Sequence, residues 1–291
     1  MLKALAILAV LGGLTACAGT HGPHPSLTAP RLLRWALGER CGGSLYAPAA
    51  RYNAAAQTNL IVAPFGRAET GWAAYAPLVA ATIGARCAPE EPGFAGVLAR
   101  WQAAHGLTPH GALTAETLQT LKGLWQAQRP FVMMRLKGVC PAPPDEAGLT
   151  RLPPGLSYGG KTVLLRPGAA RALQRMVADA RRAWPEIAAD PALLTAFSGY
   201  RSPAYDAARC AAEHNCQGLV RAECSAHRTG LAVDLDVGAA QGFAIDASAD
   251  PNRLAQTKGP AYRWLIRHAA RYGFVNYAFE PWHWEWTGAG P

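Results

Sequence analysis

The sequence predicts an α+β protein. Helical and strand patterns mix along the chain without the regular alternation of a parallel sheet, a helical half comes before the strand-bearing half, and a proline-rich break separates the two. The expected form is a small mixed or antiparallel sheet with flanking helices that carries the functional site, preceded by a small helical domain. Half of the 291 residues are hydrophobic, enough for real cores in two modest domains, so disorder is excluded as the bulk state.

The N-terminus bears on the compartment. Lys3 precedes an uncharged apolar run, Ala4 to Leu14, too short to span a bilayer and readable as a secretory signal. The run ends in Leu14-Thr15-Ala16-Cys17, which resembles the lipobox of bacterial lipoproteins. That resemblance implies acylation of Cys17, with residues 1–17 as signal and lipobox. Residues 18–30, rich in Gly, Pro, Ser, Thr and His, read as a tether. The expected location is therefore the cell envelope, lipid-anchored on the periplasmic side of a bacterial membrane. A net charge of +9 would suit an acidic partner, but export removes most of the case for nucleic acid and no dense Lys/Arg run occurs. Wall peptides bearing carboxylates remain as a fitting partner. Seven cysteines less Cys17 leave six, an even number that points to disulfides in an oxidising compartment. Nearness in the chain suggests Cys41 with Cys87 and Cys210 with Cys216; without a CxxC spacing, zinc binding by thiols is disfavoured.

Residues 31–139 form the expected helical domain. Val97, Leu98, Trp101 and Ala104 follow helical spacing up to a Gly106 stop, and a second helix opens at the cap Thr114 with Leu118 and Leu121 on one face. Trp101-Gln102, Gly106-Leu107, Gly111 and Thr117 to Leu121 resemble the small peptidoglycan-binding domain found beside wall hydrolases, with His110 where that family usually has aspartate. The resemblance implies peptidoglycan as a partner. The pattern does not locate the upstream helix between Arg51 and Cys87.

Residues 140–155 read as a Pro-rich linker, and residues 156–291 as the second domain. Here Ala169, Leu173, Met176, Val177 and Ala180 stripe a helix over Arg166 to Trp184. Leu193 to Phe197 read as a strand, Pro203 starts a helix running to about His214, and Val233 to Val237 alternate as a strand. Pro251 to Gly259 reads as an ordinary loop, Ala261 to Tyr272 as a helix stopped by Gly273, and "HWEW" as a closing strand.

The chemistry is concentrated in two segments. In "SAHRTGLAVD", His227 and Asp234 lie seven residues apart, which on one uninterrupted strand would place them on opposite faces. The chain must bend between them to bring both to one point, and Thr229-Gly230 permits that. Asp234 and Asp236 share a face, so periodicity alone allows either. In "EPWHW", Pro281 blocks a helix, so Glu280 and His283 belong to an extended segment. His283 and Glu285 then face one way, and Trp282, Trp284 and Trp286 face the core. Two histidines and one aspartate meet the usual demand of catalytic zinc, which keeps a fourth position for water, and a carboxylate that does not bind the metal can take a proton.

Three motifs in order, Ser198 to Arg201 (SGYR), Ser225 to Asp234 (SxHxxGxAxD) and Glu280 to His283 (ExxH before an aromatic), resemble the VanY-like family of zinc D-alanyl-D-alanine carboxypeptidases. The resemblance implies a Zn2+ cofactor held by His227, Asp234 and His283, with Glu280 as catalytic base. It further implies Arg201 as the residue orienting substrate, with Ser225 and Trp282 lining the cleft and Asp236 beside the site. The implied reaction is removal of a terminal D-alanine from a peptidoglycan stem peptide. Cleavage of a D,D or L,D cross-link is the alternative within the same chemistry. A non-catalytic wall-binding lipoprotein is the rival, against which Glu280 argues, because a structural metal site needs no base. Cys210, Cys216 and Cys224 stand between the first two motifs and suggest a stapled loop at the cleft edge.

Overall fold

Proline sets the beginnings of the helices. Among the described residues, nine of the ten α-helices carry proline in their first two positions, where the missing N–H has no intrahelical partner to lose. The computed structural model describes residues 41–138, 140–214, 216 and 224–288, which fall within one compact unit. Cys17, the signal segment and the tether lie outside the described residues.

The first part runs α1 (Ala47–Asn59), a short hairpin of β1 (Ile61–Val62) and β2 (Glu69–Thr70), α2 (Ala76–Ile83), α3 (Pro92–Ala104), α4 (Ala115–Ala127) and α5 (Pro130–Arg135). Trp72, Tyr75, Val79, Phe94, Leu98, Leu113, Leu118 and Leu121 form its core, and the Cys41–Cys87 disulfide closes one end. Two α-helices fall in the stretch where the pattern located none, α2 and, for most of its length, α1. The buried positions of α1 are Ala50, Asn53 and Ala56, so it has no large apolar stripe to read. Asn53 works through its amide, donating to Gly111 O at 3.0 Å and accepting from Leu113 N–H at 2.7 Å. Gln102 reinforces the same turn by accepting from Gly111 N–H at 2.8 Å and donating to Ala112 O and Thr117 Oγ1. His110 accepts the Ala112 N–H through Nδ1 at 3.0 Å, the role a short carboxylate plays in such turns.

The second part begins inside the segment read as linker, where β3 (Thr150–Arg151) pairs with β4 (Leu164–Leu165). Helix α6 (Pro167–Ala183) buries the expected stripe of Ala169, Leu173, Met176, Val177 and Ala180, and the short α7 (Pro185–Ala189) follows. The central sheet is fully antiparallel, in the order β5 (Ala196–Ser198), β6 (Ala232–Leu235), β8 (His283–Trp286), β7 (Phe274–Asn276). Helix α8 (Pro203–Ala212) leaves β5; α9 (Asp250–Lys258) and α10 (Pro260–His268) come before β7.

Two expectations are corrected. The strand read over Leu193 to Phe197 begins only at Ala196, because Leu193 and Thr195 donate to Asp190 and Ala192 carbonyls in turns and Leu194 takes φ 64°. The loop read over Pro251 to Gly259 is helix α9. Its buried face is polar, made of Asn252, Arg253, Gln256 and Thr257, so a search for apolar periodicity passes over it. Asn252 binds the carbonyls of Ala244 and Ala247, and Gln256 those of Gly238 and Ile245, which ties the preceding loop to the helix.

Buried polar contacts join the two cores. Arg253, 1% exposed, meets Glu69 at 2.8 Å and Asp250 at 3.2 Å, and donates to Tyr75 Oη at 2.6 Å and to Phe279 O at 2.8 Å. Arg129 reaches Glu285 of β8 in the same manner. A Cys140–Cys224 disulfide adds a covalent tie, alongside the Cys210–Cys216 pair suggested by chain proximity.

Candidate metal centre

Strand register places two of the candidate ligands. Asp234 of β6 lies directly opposite His283 of β8, with Ser198 of β5 on its other side. His227 arrives from the 3-10 turn Ala226–Thr229, and the chain reverses at Gly230 with φ 68°, so the bend required by the odd His227–Asp234 spacing falls where glycine permits it. Glu280 sits in the connection between β7 and β8. There Glu280 N–H donates to Tyr277 O and His283 N–H donates to Glu280 O, while Asn276 Nδ2 holds the carbonyls of Glu280 and His283.

His227, Asp234 and His283 are buried and offer ligand atoms that all lie within 4.8 Å of one another. His227 Nε2 is 3.1 Å from Asp234 Oδ2, and His283 Nδ1 is 2.9 Å from Asp234 Oδ1. Each histidine thus turns one ring nitrogen toward Asp234, each to a different oxygen of the carboxylate. The remaining ring nitrogens are also engaged: His227 Nδ1 is 2.6 Å from Gly199 O, and His283 Nε2 is 3.4 Å from Glu285 Oε1. Metal-binding histidines have this pattern, one nitrogen facing the ion and the other donating to a carbonyl or carboxylate. On donor chemistry and on these outer contacts, the residues fit a zinc ion.

The electrostatics are those of a concentrated buried site. Burial opposes ionisation of Asp234, but the two histidines outweigh it and hold the carboxyl well below its usual range. Burial and Arg201 lower His227. For His283, hydrogen bonds to Asp234 and Glu285 overcome burial and push it up to about 9. Glu280, 4.0 Å from His283 Nδ1, is raised by burial. Glu285 is held down at about 2 against burial, chiefly by Arg129.

Arg201, Ser225, His227, Asp234, Glu280, Trp282 and His283 all line one cavity of about 890 Å3. Trp282 does so while also packing in the core. Arg201 Nε lies 3.0 Å from Asp206 Oδ1, and Ser225 Oγ donates to Asp206 Oδ2 at 2.6 Å, so one buried carboxylate of α8 fixes both side chains. Asp236 stays apart from the ligand atoms; its Oδ1 accepts Gly238 N–H in the turn after β6.

Residues 162–289 match the VanY family model, D-alanyl-D-alanine carboxypeptidase. No curated protein matches the chain. The VanY segment contains the three candidate ligands, Glu280, Arg201, Ser225 and Trp282. It does not contain Gln126, Arg129, Phe131, Val132 or Glu146, which nonetheless line the cavity.

Sequence reasoning missed the supporting residues. Glu285 was legible as a neighbour of His283 on the same strand face, but without a role. Asp206 follows the SGYR motif in α8 and matched no pattern. Arg129, 156 residues from its partner, carried no local signal.

Proposed function

We propose that this protein is a zinc-dependent D-alanyl-D-alanine carboxypeptidase that trims peptidoglycan stem peptides. The observation that carries the reading is the convergence of His227, Asp234 and His283 on the floor of a cavity that also presents Glu280 and Arg201. His227, Asp234 and His283 would hold the ion. When bound, zinc supplies Lewis acidity, which polarises a peptide carbonyl and makes water more acidic. Glu280, held above the usual carboxylate range by burial, accepts a proton from water and delivers it to the departing amine. Arg201, ion-paired with Asp206, presents its guanidinium to the terminal carboxylate of the substrate. Ser225, fixed by the same aspartate, borders the cleft.

The proposed setting is the cell envelope, with Cys17 as lipid anchor and the helical part contacting peptidoglycan; confinement to the wall would raise the effective substrate concentration. Three disulfides among the described residues support an oxidising compartment.

The test uses zinc-loaded protein and a synthetic stem peptide ending in D-Ala-D-Ala. Native protein is expected to release D-alanine, to lose activity on chelation and to regain it with zinc. Glu280→Gln is expected to lower turnover by about 10²- to 10⁴-fold, the usual contribution of a positioned general base. Undiminished turnover in that variant would remove Glu280 from its role. Conversion of cross-linked muropeptide dimers to monomers, with no free D-alanine, would replace the carboxypeptidase by an endopeptidase.

A further inference from the structure

We propose that Arg129, in the helical part ahead of the VanY segment, is a positioning residue of the metal centre, acting through Glu285 on the candidate ligand His283. The inference rests on the zinc reading above and adds to it a residue from outside the matched family segment.

Arg129 follows α4 and precedes Pro130 at the start of α5, and it is 6% exposed. Its Nε donates to Glu285 Oε1 at 2.8 Å and its Nη2 lies 2.6 Å from the same oxygen. Phe131 N–H donates to the other oxygen, Oε2, at 3.0 Å. The guanidinium is itself held, with Nη1 donating to Gln126 Oε1 at 2.9 Å and its carbon 4.0 Å above the Tyr277 ring. Glu285 is thus gripped at both oxygens, and Oε1 is the atom facing His283 Nε2 at 3.4 Å.

The consequence is geometric. A β8 carboxylate fixed in this way accepts from His283 Nε2–H, sets that tautomer and leaves Nδ1 turned toward Asp234 and the metal point. Without Arg129, Glu285 would be a buried anion with no cation against it, held only by Phe131 N–H and by the long contact to His283; it would seek other contacts, and the imidazole would lose its fixed orientation. The VanY segment supplies the ligands, but a residue ahead of it keeps one of them aimed. The helical part therefore serves the metal centre directly.

The test measures zinc affinity, by competition with a chromophoric chelator, for native protein, Arg129→Lys, Arg129→Met, Glu285→Gln and the Arg129→Met/Glu285→Gln double variant, with cobalt-substituted absorption spectra as a second readout. Loss of such an outer partner characteristically weakens metal binding by about 10- to 100-fold. Arg129→Met and Glu285→Gln are expected to fall in that range, Arg129→Lys to recover part of the loss, and the double variant to be no worse than the poorer single one. The cobalt spectrum of Arg129→Met should depart from native without substrate present, which a role in stability alone would not produce. If Arg129→Met fails to fold, Arg129→Lys and Glu285→Gln decide between the outcomes. Zinc affinity of the folded Arg129 variants within about 3-fold of native, or losses that simply multiply in the double variant, would overturn this inference alone. A native protein that binds no zinc would overturn the metal reading and this inference with it.

Discussion

Replacing Arg253 by methionine tests whether the two cores act as one structure. Arg253 is 1% exposed and its partner Glu69 6%, at 2.8 Å; the same guanidinium donates to Tyr75 Oη and to Phe279 O. Methionine fills much of the volume but leaves Glu69 buried with only the Tyr75 hydroxyl, which donates to it at 2.8 and 2.9 Å. Breaking a buried pair from one side costs about 3–5 kcal/mol, because the remaining charge stays desolvated. For a domain of this size that is a fall in Tm of roughly 6–20 °C. Glu69→Gln in the same chain removes the stranded charge and keeps an acceptor for Tyr75, so the double variant should recover about 1–3 kcal/mol of the loss. Urea unfolding followed by circular dichroism gives all four corners of the cycle. A cost below about 1 kcal/mol for Arg253→Met, or effects that add to within about 0.5 kcal/mol, would refute the account of this network as a coupled clamp.

Two further outcomes follow from single side chains. Gly168→Ala places a Cβ 2.4 Å from the Trp286 ring, which is held by its Nε1 bond to Tyr272 O. The gain of about 1 kcal/mol from helix propensity should be reversed into a net loss of about 1–3 kcal/mol, and a variant as stable as native in urea would contradict that packing. His268 is lowered from 6.5 by burial and by Arg271 and Arg267, so the unfolded chain binds its proton more readily than the folded one. Stability should therefore rise with pH as His268 loses its proton, up to the unfolded value near 6.5, and His268→Gln should flatten that slope between about pH 5 and 7. Identical slopes in the two proteins would show that His268 does not contribute.

The sequence alone determined what local chemistry can encode. The helix start at Pro203, the cap at Thr114 and the stripe of α6 depend on near neighbours, and they were legible as such. So were the bend at Gly230, which follows from the parity of the His227–Asp234 spacing, and the shared face of His283 and Glu285, which follows from strand alternation. Tertiary structure decided what depends on distant partners. Helices α1 and α9 are buried through Asn53 and through Arg253 and Gln256, side chains whose burial is tolerable only because remote carbonyls and carboxylates satisfy them. Arg129 meets Glu285 across 156 residues, and Asp206 binds Arg201 and Ser225 from a helix of which the sequence marks only the start at Pro203. A ligand set can be written in a few motifs, since each residue needs only its own chemistry and spacing. The shell that aims it is fixed by packing, which no short stretch of chain contains.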